Sequence, residues 1–390
     1  MNKKNIVNKR IIGFISIILC ILFIGLNGFA AENNKYPVTP KLNHGHKWRI
    51  GYYEGGNYIE YKQTLTAIVK GLMDLNWIEK TDLPKFSGDG TQALWNWLST
   101  KLKSKYLIFK KDAYYSSQWK NDIKEQQVKS LIKRLNKKKD IDLMIAMGTW
   151  AAQGLAHGKT RTPTIACAVS DAVSAGIIKD YKHSGYDYFH VRVDPLRYKR
   201  QVEIFYNIIK FKKLGVMYEN TIRGRSYAGM DKIKAVAKKD GFEIVSCFLK
   251  QGVDDQKIAE KEVRQCFSRL CSKADAIYVT MHMGVDAATL PYLVKTANKA
   301  GIPTFSQAGS EEVKYGLLMS ISQAGFKYVG EYQARIIAKV FNGAKPGQLN
   351  QLFEAPSRIA INLKTASTIG YDPPVDVLSA ADEIYNNYKK

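Results

Sequence analysis

The chain has 390 residues, 45% of them hydrophobic, with 59 Lys+Arg against 35 Asp+Glu and a formal net charge of +24. That length and apolar content supply cores for two ordinary domains and exclude a disordered or low-complexity protein. So large a charge fits an anionic partner or a solvated basic surface; the lysines are scattered among acids and clusters such as Lys137-Lys138-Lys139 close helical stretches, so no nucleic-acid partner is expected.

In chain order, Lys3, Lys4, Lys9 and Arg10 precede an apolar run from Ile11 to Leu26, and the small residues Gly28 and Ala30 follow it. This is the tripartite layout of a secretory leader. Residues 1–30 are therefore expected to be a cleaved signal peptide that delivers the protein to the periplasm. An uncleaved anchor is the competing reading, and the run is shorter than the ~20 residues a span prefers. Cys20 follows Ile18 and Leu19, where a lipid-attachment site needs small residues, and reads as leader filler.

After a mature N-terminal segment over 31–47, strand and helix patterns alternate. Arg49 to Glu54 reads as a strand, and Tyr61, Leu65, Ile68, Leu72 and Leu75 recur at helical spacing over Ile59 to Leu75. Further short apolar strands are expected at Tyr106 to Lys110, Asp142 to Met147 and Thr164 to Val169, with helices over Ser117 to Leu135 and Ala151 to His157. These runs predict a first doubly wound α/β lobe over 48–190, with an insertion at about 80–105 that carries its own short helix and the pair Trp95 and Trp97.

A second series over 191–312 places strands at Leu214 to Tyr218, Glu243 to Phe248, Ala276 to Thr280 and Pro303 to Ser306 between helices. It predicts a second doubly wound lobe. The strand Gly316 to Ser320, helix Tyr328 to Phe341 and strand Arg358 to Leu363 do not extend that series in order. Residues 313–390 are therefore expected to cross between the lobes and complete both.

No motif for catalysis emerges. The stretch Gly154 to Thr160 has three residues between its glycines where a phosphate loop needs four, and it follows a helical run. His44-Gly45-His46 stands in an entry segment without a companion acid or cysteine, which favours a tail over a metal site. Cys167 and Cys247 lie in strand-like runs as small hydrophobes. Cys266 and Cys271 sit about 140° apart round a helix, unsuited to each other. An oxidising compartment permits a bridge, and the spacing chooses none.

Six stretches carry a resemblance: Met147 to Gln153 (MGTWAAQ), Pro163 to Val173 (PTIACAVSDAV), Lys213 to Tyr218 (KLGVMY), Ala274 to Val279 (ADAIYV), Ala300 to Phe305 (AGIPTF) and Ile361 to Ala366 (INLKTA). In this order the chain resembles the ABC transporter substrate-binding family that includes tryptophan- and tyrosine-type receptors. The resemblance implies a type I periplasmic-binding-protein-like fold of two lobes with a multi-crossing hinge. It further implies a small-molecule solute bound in the cleft, an ABC permease in the membrane as partner, a monomer, no cofactor and no catalysis.

Open α/β sheets bind ligands beyond the carboxyl ends of their strands. Here those ends carry Tyr53, Glu54, Gly148, Thr149, Trp150, Ser170, Asp171, Asn220, His282 and Gln307 as candidate ligand residues. Thr149 fits a carboxylate at a helix N-terminus or an ordinary N-cap. Asp171 fits a ligand ammonium or a turn cap, and the resemblance, which has an acid at this position, favours the ligand. Tyr53, Tyr58 and Trp150 offer an aromatic wall, with core packing the alternative for Tyr58. Departures from the family pattern at Met281-His282-Met283 and over Ser320 to Ala324 bear on ligand choice. Two rival readings are a receptor for a membrane sensor kinase or chemoreceptor, and a cleft hydrolase or isomerase using Glu54 and His282, which requires both groups on one substrate.

Overall fold

The computed structural model describes residues 35–253, 255–321, 325–354 and 358–389. The expected leader over 1–30 lies outside the described residues. The first sheet holds β1 (Trp48–Glu54), β2 (Leu107–Ser116), β3 (Leu143–Met147), β4 (Thr164–Cys167) and β5 (Phe189–Val191), in the order β2-β1-β3-β4-β5 with every pair parallel. Its helices are α1 (Ile59–Asp74), α2 (Gln92–Thr100), α3 (Asn121–Lys137) and α4 (Gly148–Leu155).

The second half runs α5 (Arg197–Ile209), β6 (Lys213–Glu219), α6 (Ile222–Ala228), α7 (Met230–Asp240), β7 (Glu243–Leu249), α8 (Gln256–Cys271), β8 (Ala276–Val279), α9 (Leu290–Ala300), β9 (Thr304–Ser306), α10 (Ser310–Tyr315) and β10 (Met319–Ile321). Then come α11 (Gly325–Phe341), β11 (Ile359–Asn362), α12 (Leu363–Thr368), α13 (Val375–Ser379) and β12 (Ala381–Tyr385). The seven strands order as β12-β11-β10-β9-β8-β6-β7, parallel except for the β10–β11 pair. Two doubly wound sheets are the type I architecture that the sequence led us to expect.

The segments after β10 close the molecule. Helix α11 leaves the second sheet and packs on α1, where Leu65, Ile68 and Leu72 share one buried cluster with Ala334, Ile337 and Phe341. A Cβ on Gly330 would come within 2.4 Å of the Ala67 backbone, so glycine sets how closely these helices approach. The chain then returns to the second sheet as β11, antiparallel to β10. Val193 and Leu352 form a parallel bridge where two of these crossings run side by side, and Val193 N donates to the Gln351 carbonyl at 2.8 Å.

Strand β2 departs from expectation in a way that matters for the site. The charged Lys110-Lys111-Asp112 interrupts its apolar run, but the strand continues to Ser116. Lys110 and Arg134 gather Asp112 and Asp140 into ion pairs beneath it. The register shifts between Ile50 and Tyr52, which sets Tyr114 opposite Tyr52 and Ser116 opposite Glu54. The short elements β5, α6 and β12 carry too few residues for periodicity to reveal them. Cys247 of β7 and Cys266 of α8 form a disulfide, with Cα atoms 5.8 Å apart.

Candidate functional site

The carboxyl ends of both sheets meet across a cleft. Glu60 of α1 faces Arg197 of α5 at 3.6 Å, and Asp171 after β4 faces Lys232 of α7 at 3.9 Å. Arg223 of α6 lies over the Trp150 ring at 5.8 Å. Residues from both lobes therefore bound one space.

On the first lobe, Glu54 is fully buried at the end of β1. Thr91 and Tyr52 donate to its Oε2 at 2.6 and 2.8 Å, and Tyr114 donates to Oε1 at 2.8 Å. Burial raises its pKa above the ordinary carboxyl value, and the hydroxyl donors oppose that shift. Thr91 comes from the insertion, so the insertion helps build this site. Trp95, by contrast, packs in the cluster that holds Tyr52 and Leu65.

Gly55 and Gly56 make a flat seat for Trp119, since a Cβ on either would lie 2.6 Å from that ring. Gln118 and Trp119 take left-handed backbone angles, φ 52° and 60°, a cost that clusters at functional turns. Trp119 meets Trp150 edge-on at 5.6 Å and Tyr61 at 6.1 Å, and Tyr58 meets Tyr61 at 5.2 Å. Lys124 caps the Trp150 ring at 4.7 Å, and burial, followed by Arg223 and Lys159, lowers its pKa to about 8. Gly148 has φ +85°, and a Cβ there would lie 1.9 Å from Tyr61 Oη.

Several anticipated residues take other roles. Tyr53 points to the opposite face of β1 from Glu54, fully buried with Ala146 and Ala151 on that side of the first sheet and with its hydroxyl on Ser117 Oγ at 2.8 Å. It is a core residue, because strand alternation sends neighbours to opposite faces. Asp171, the candidate for a ligand ammonium, holds its own turn. Its Oδ1 accepts from the backbones of Val173 and Ser174 at 3.1 and 3.0 Å, its Oδ2 from Ser174 Oγ at 2.9 Å, and Lys232 supplies the counter-charge.

Thr149 is buried one residue inside α4, whose N-cap is Met147, so the N-cap reading falls. Ser170 is half-buried beside Asp171. Asn220 is exposed and turns its Oδ1 to Arg225 at 2.9 Å. Gln307 is fully buried scaffold, accepting from Met281 N at 2.7 Å and donating to the Tyr227 carbonyl at 2.9 Å. His282 Nδ1 accepts from Gly284 N at 3.1 Å while Nε2 faces Glu219 at 3.7 Å. Glu54 and His282 thus each have their own partners.

Pattern reading overlooked Tyr61, Thr91, Tyr114, Trp119, Tyr198, Ser226 and Tyr227. Tyr61 was counted as helix core, Tyr114 lay past the expected end of β2, and Trp119 fell inside the helix expected from Ser117, which begins only at Asn121. The hydroxyl oxygens of Tyr58 and Ser226 are buried without hydrogen-bond partners among the described residues, and those of Tyr198 and Tyr227 are buried close to Ser170 and Trp150. Tyr58 feels Glu60 of one lobe and Glu312 of the other, and Tyr61 feels Tyr227. This is a polar and aromatic lining that spans the cleft.

A family model described as ABC transporter substrate binding protein matches residues 87–385. The chain belongs to that family. This substrate-binding protein is 28% identical over 230 residues to the tyrosine-binding protein of Clostridioides difficile (strain R20291), across 58% of this chain and 63% of that relative's length. Its fold is similar to an ABC domain in complex with L-Trp from Streptococcus pneumonia, with TM-score 0.64, 22% identity, and coverage of 87% and 99% of the two chains. It is also similar to the ligand-free, open form of a substrate-binding protein with adhesive properties from Clostridium difficile, with TM-score 0.59, 22% identity, and coverage of 88% and 100%.

Proposed function

We propose that this substrate-binding protein captures an amino acid or similar zwitterion between its lobes, outside the cytoplasmic membrane, and delivers it to an ABC permease for import. The carrying observation is a buried polar and aromatic lining: the unpartnered hydroxyls of Tyr58 and Ser226, and Tyr227 against Trp150, together with the rings of Tyr61 and Trp119. Buried polar groups in native folds find partners in protein, water or ligand, and leaving one unmet costs about 1–3 kcal/mol. Rings with a few convergent polar atoms are the lining of a small-molecule pocket. The names of the tyrosine-binding relative and of the L-Trp complex make aromatic amino acids the first candidates.

Capture needs no bond-making. A solute that contacts both lobes binds the closed form better and shifts the equilibrium by that difference. The leader-like start supports a periplasmic site of action, and a monomer suffices because one chain supplies both walls.

Mass spectrometry of solutes released by denaturing the natively purified protein, followed by calorimetric titration, tests this reading. The expected result is an unmodified amino acid whose uptake by cells is lost when the gene is deleted. Chemical turnover of the released solute by the protein would count against a receptor.

A further inference from the structure

The least satisfied charge in the cleft is Arg192. It follows β5 directly, on the hinge strand that leads through Val193 to Asp194 and α5. It is only 7% exposed, yet its guanidinium makes no hydrogen bond or ion pair with any described residue, and its Nε is buried without a partner. Its electrostatic neighbours are Arg197, Asp194, Glu60 and Tyr332, drawn from both lobes and the hinge.

The ion pairs of this cluster pass Arg192 by. Arg197 is matched by Glu60 at 3.6 Å, and Arg200 by Asp194 at 2.5 Å and Glu354 at 3.6 Å, so no carboxylate among the described residues stands within ion-pair distance of Arg192. Burial, and then Arg197, disfavour its charged form. Arginine nevertheless stays protonated in proteins, so a buried one needs an anion. Tyr58 adds a free hydroxyl nearby, since it feels the same Glu60 and Arg197.

We propose that Arg192, with Arg197 behind it, is the subsite that holds the acid group of the solute. The inference rests on the cleft-receptor reading above and names which end of the solute meets which wall. A carboxylate fits the planar guanidinium in bidentate fashion and gives Arg192 the direct partner it lacks. It does so on the hinge strand itself, between a carboxylate of one lobe and an arginine of the other. The solute is then a carboxylic acid, and closure is coupled to that carboxylate.

The test titrates full-length protein, wild type and Arg192→Met, with L-tryptophan, L-tyrosine, the amines tryptamine and tyramine, and indole-3-propionate, alongside thermal unfolding without solute. The expected result is that loss of the carboxylate weakens binding to wild type on the order of 30-fold or more, and that Arg192→Met removes this discrimination. The solute-free variant should unfold at or above the wild-type midpoint, because an unpaired buried charge has been removed. Amines that bind as well as the amino acids, or Arg192→Met retaining full affinity for an amino acid, would overturn the subsite while leaving the receptor reading intact. Binding of indole-3-propionate without the amino acids would overturn the zwitterion reading and uphold the subsite. Wild type that binds none of the five and releases no carboxylic acid on denaturation would overturn both.

Discussion

Glu312 shows how one residue can tie the cleft to pH. Ser306 donates to its Oε2 at 2.6 Å, but burial dominates and pushes its pKa up to about 7. An unfolded glutamate titrates near 4.5, so between these values the folded chain holds a proton that the unfolded chain has lost. Stability therefore falls as pH rises through that window, by up to about 3 kcal/mol for this group. Denaturant unfolding of solute-free protein from pH 4.5 to 7.5 should show that decline, and Glu312→Gln should flatten most of it. Parallel wild-type and variant curves would mean that Glu312 is better solvated than the structure shows. Gly148 gives a second residue-scale expectation. A side chain there meets both the left-handed φ and the Tyr61 ring, with the would-be Cβ 1.9 Å from Oη and 2.4 Å from Cζ. Gly148→Ala should cost about 2–4 kcal/mol by denaturant unfolding, combining the left-handed penalty with overpacking. Tyr61→Phe should give little relief, because the ring carbon also clashes; a fully rescued double variant would refute this.

At the scale of elements, the disulfide joins the edge strand β7 to the helix that follows it, where Cys247 and Cys266 lie in one core cluster with Met217, Phe267 and Leu270. It closes a loop of 19 residues, worth about 3 kcal/mol in the chain-entropy account. Reduction, or Cys247→Ala with Cys266→Ala, should lower unfolding free energy by about 2–4 kcal/mol. Coincident denaturation curves with and without reductant, with full reduction verified by mass, would disprove that contribution. The pairing was not legible in the sequence, because nothing in the spacing brings β7 against one particular face of α8. Helices α1, α5, α8 and α11 were legible, since their buried stripes recur at helical spacing over many residues. Strand β2 was half legible: its charged middle hid the run to Ser116 and with it Tyr114, and starting the next helix at Ser117 hid the turn that carries Trp119. That single lost extension concealed the wall around Glu54.

At the scale of the molecule, the two lobes and the repeated crossings were legible because strand-helix alternation continues past the point where one sheet is complete. Which residues face the cleft was not, because that depends on how two sheets are set against each other. Asp171 illustrates the gap: its place after a strand was read correctly, but its partners come from its own turn and from α7. The same setting predicts how the molecule opens. Two ion pairs, Glu60–Arg197 and Asp171–Lys232, bridge the lobes with side chains between 10% and 28% exposed. At roughly 1 kcal/mol each, they bias the solute-free protein toward closure by about 30-fold together. Salt at 1 M shortens the screening length to about 3 Å and weakens such pairs. Small-angle scattering of the solute-free protein should therefore show a larger radius of gyration at 1 M than at 0.05 M sodium chloride. Glu60→Gln and Lys232→Met should each produce part of that expansion at low salt. Lys232→Met is the cleaner of the two, since Glu60→Gln leaves Arg197 buried without its partner carboxylate. A radius unchanged by salt and by both variants would mean that apolar contact, centred on Tyr61, Trp150 and Tyr227, holds the closed form without help from charge.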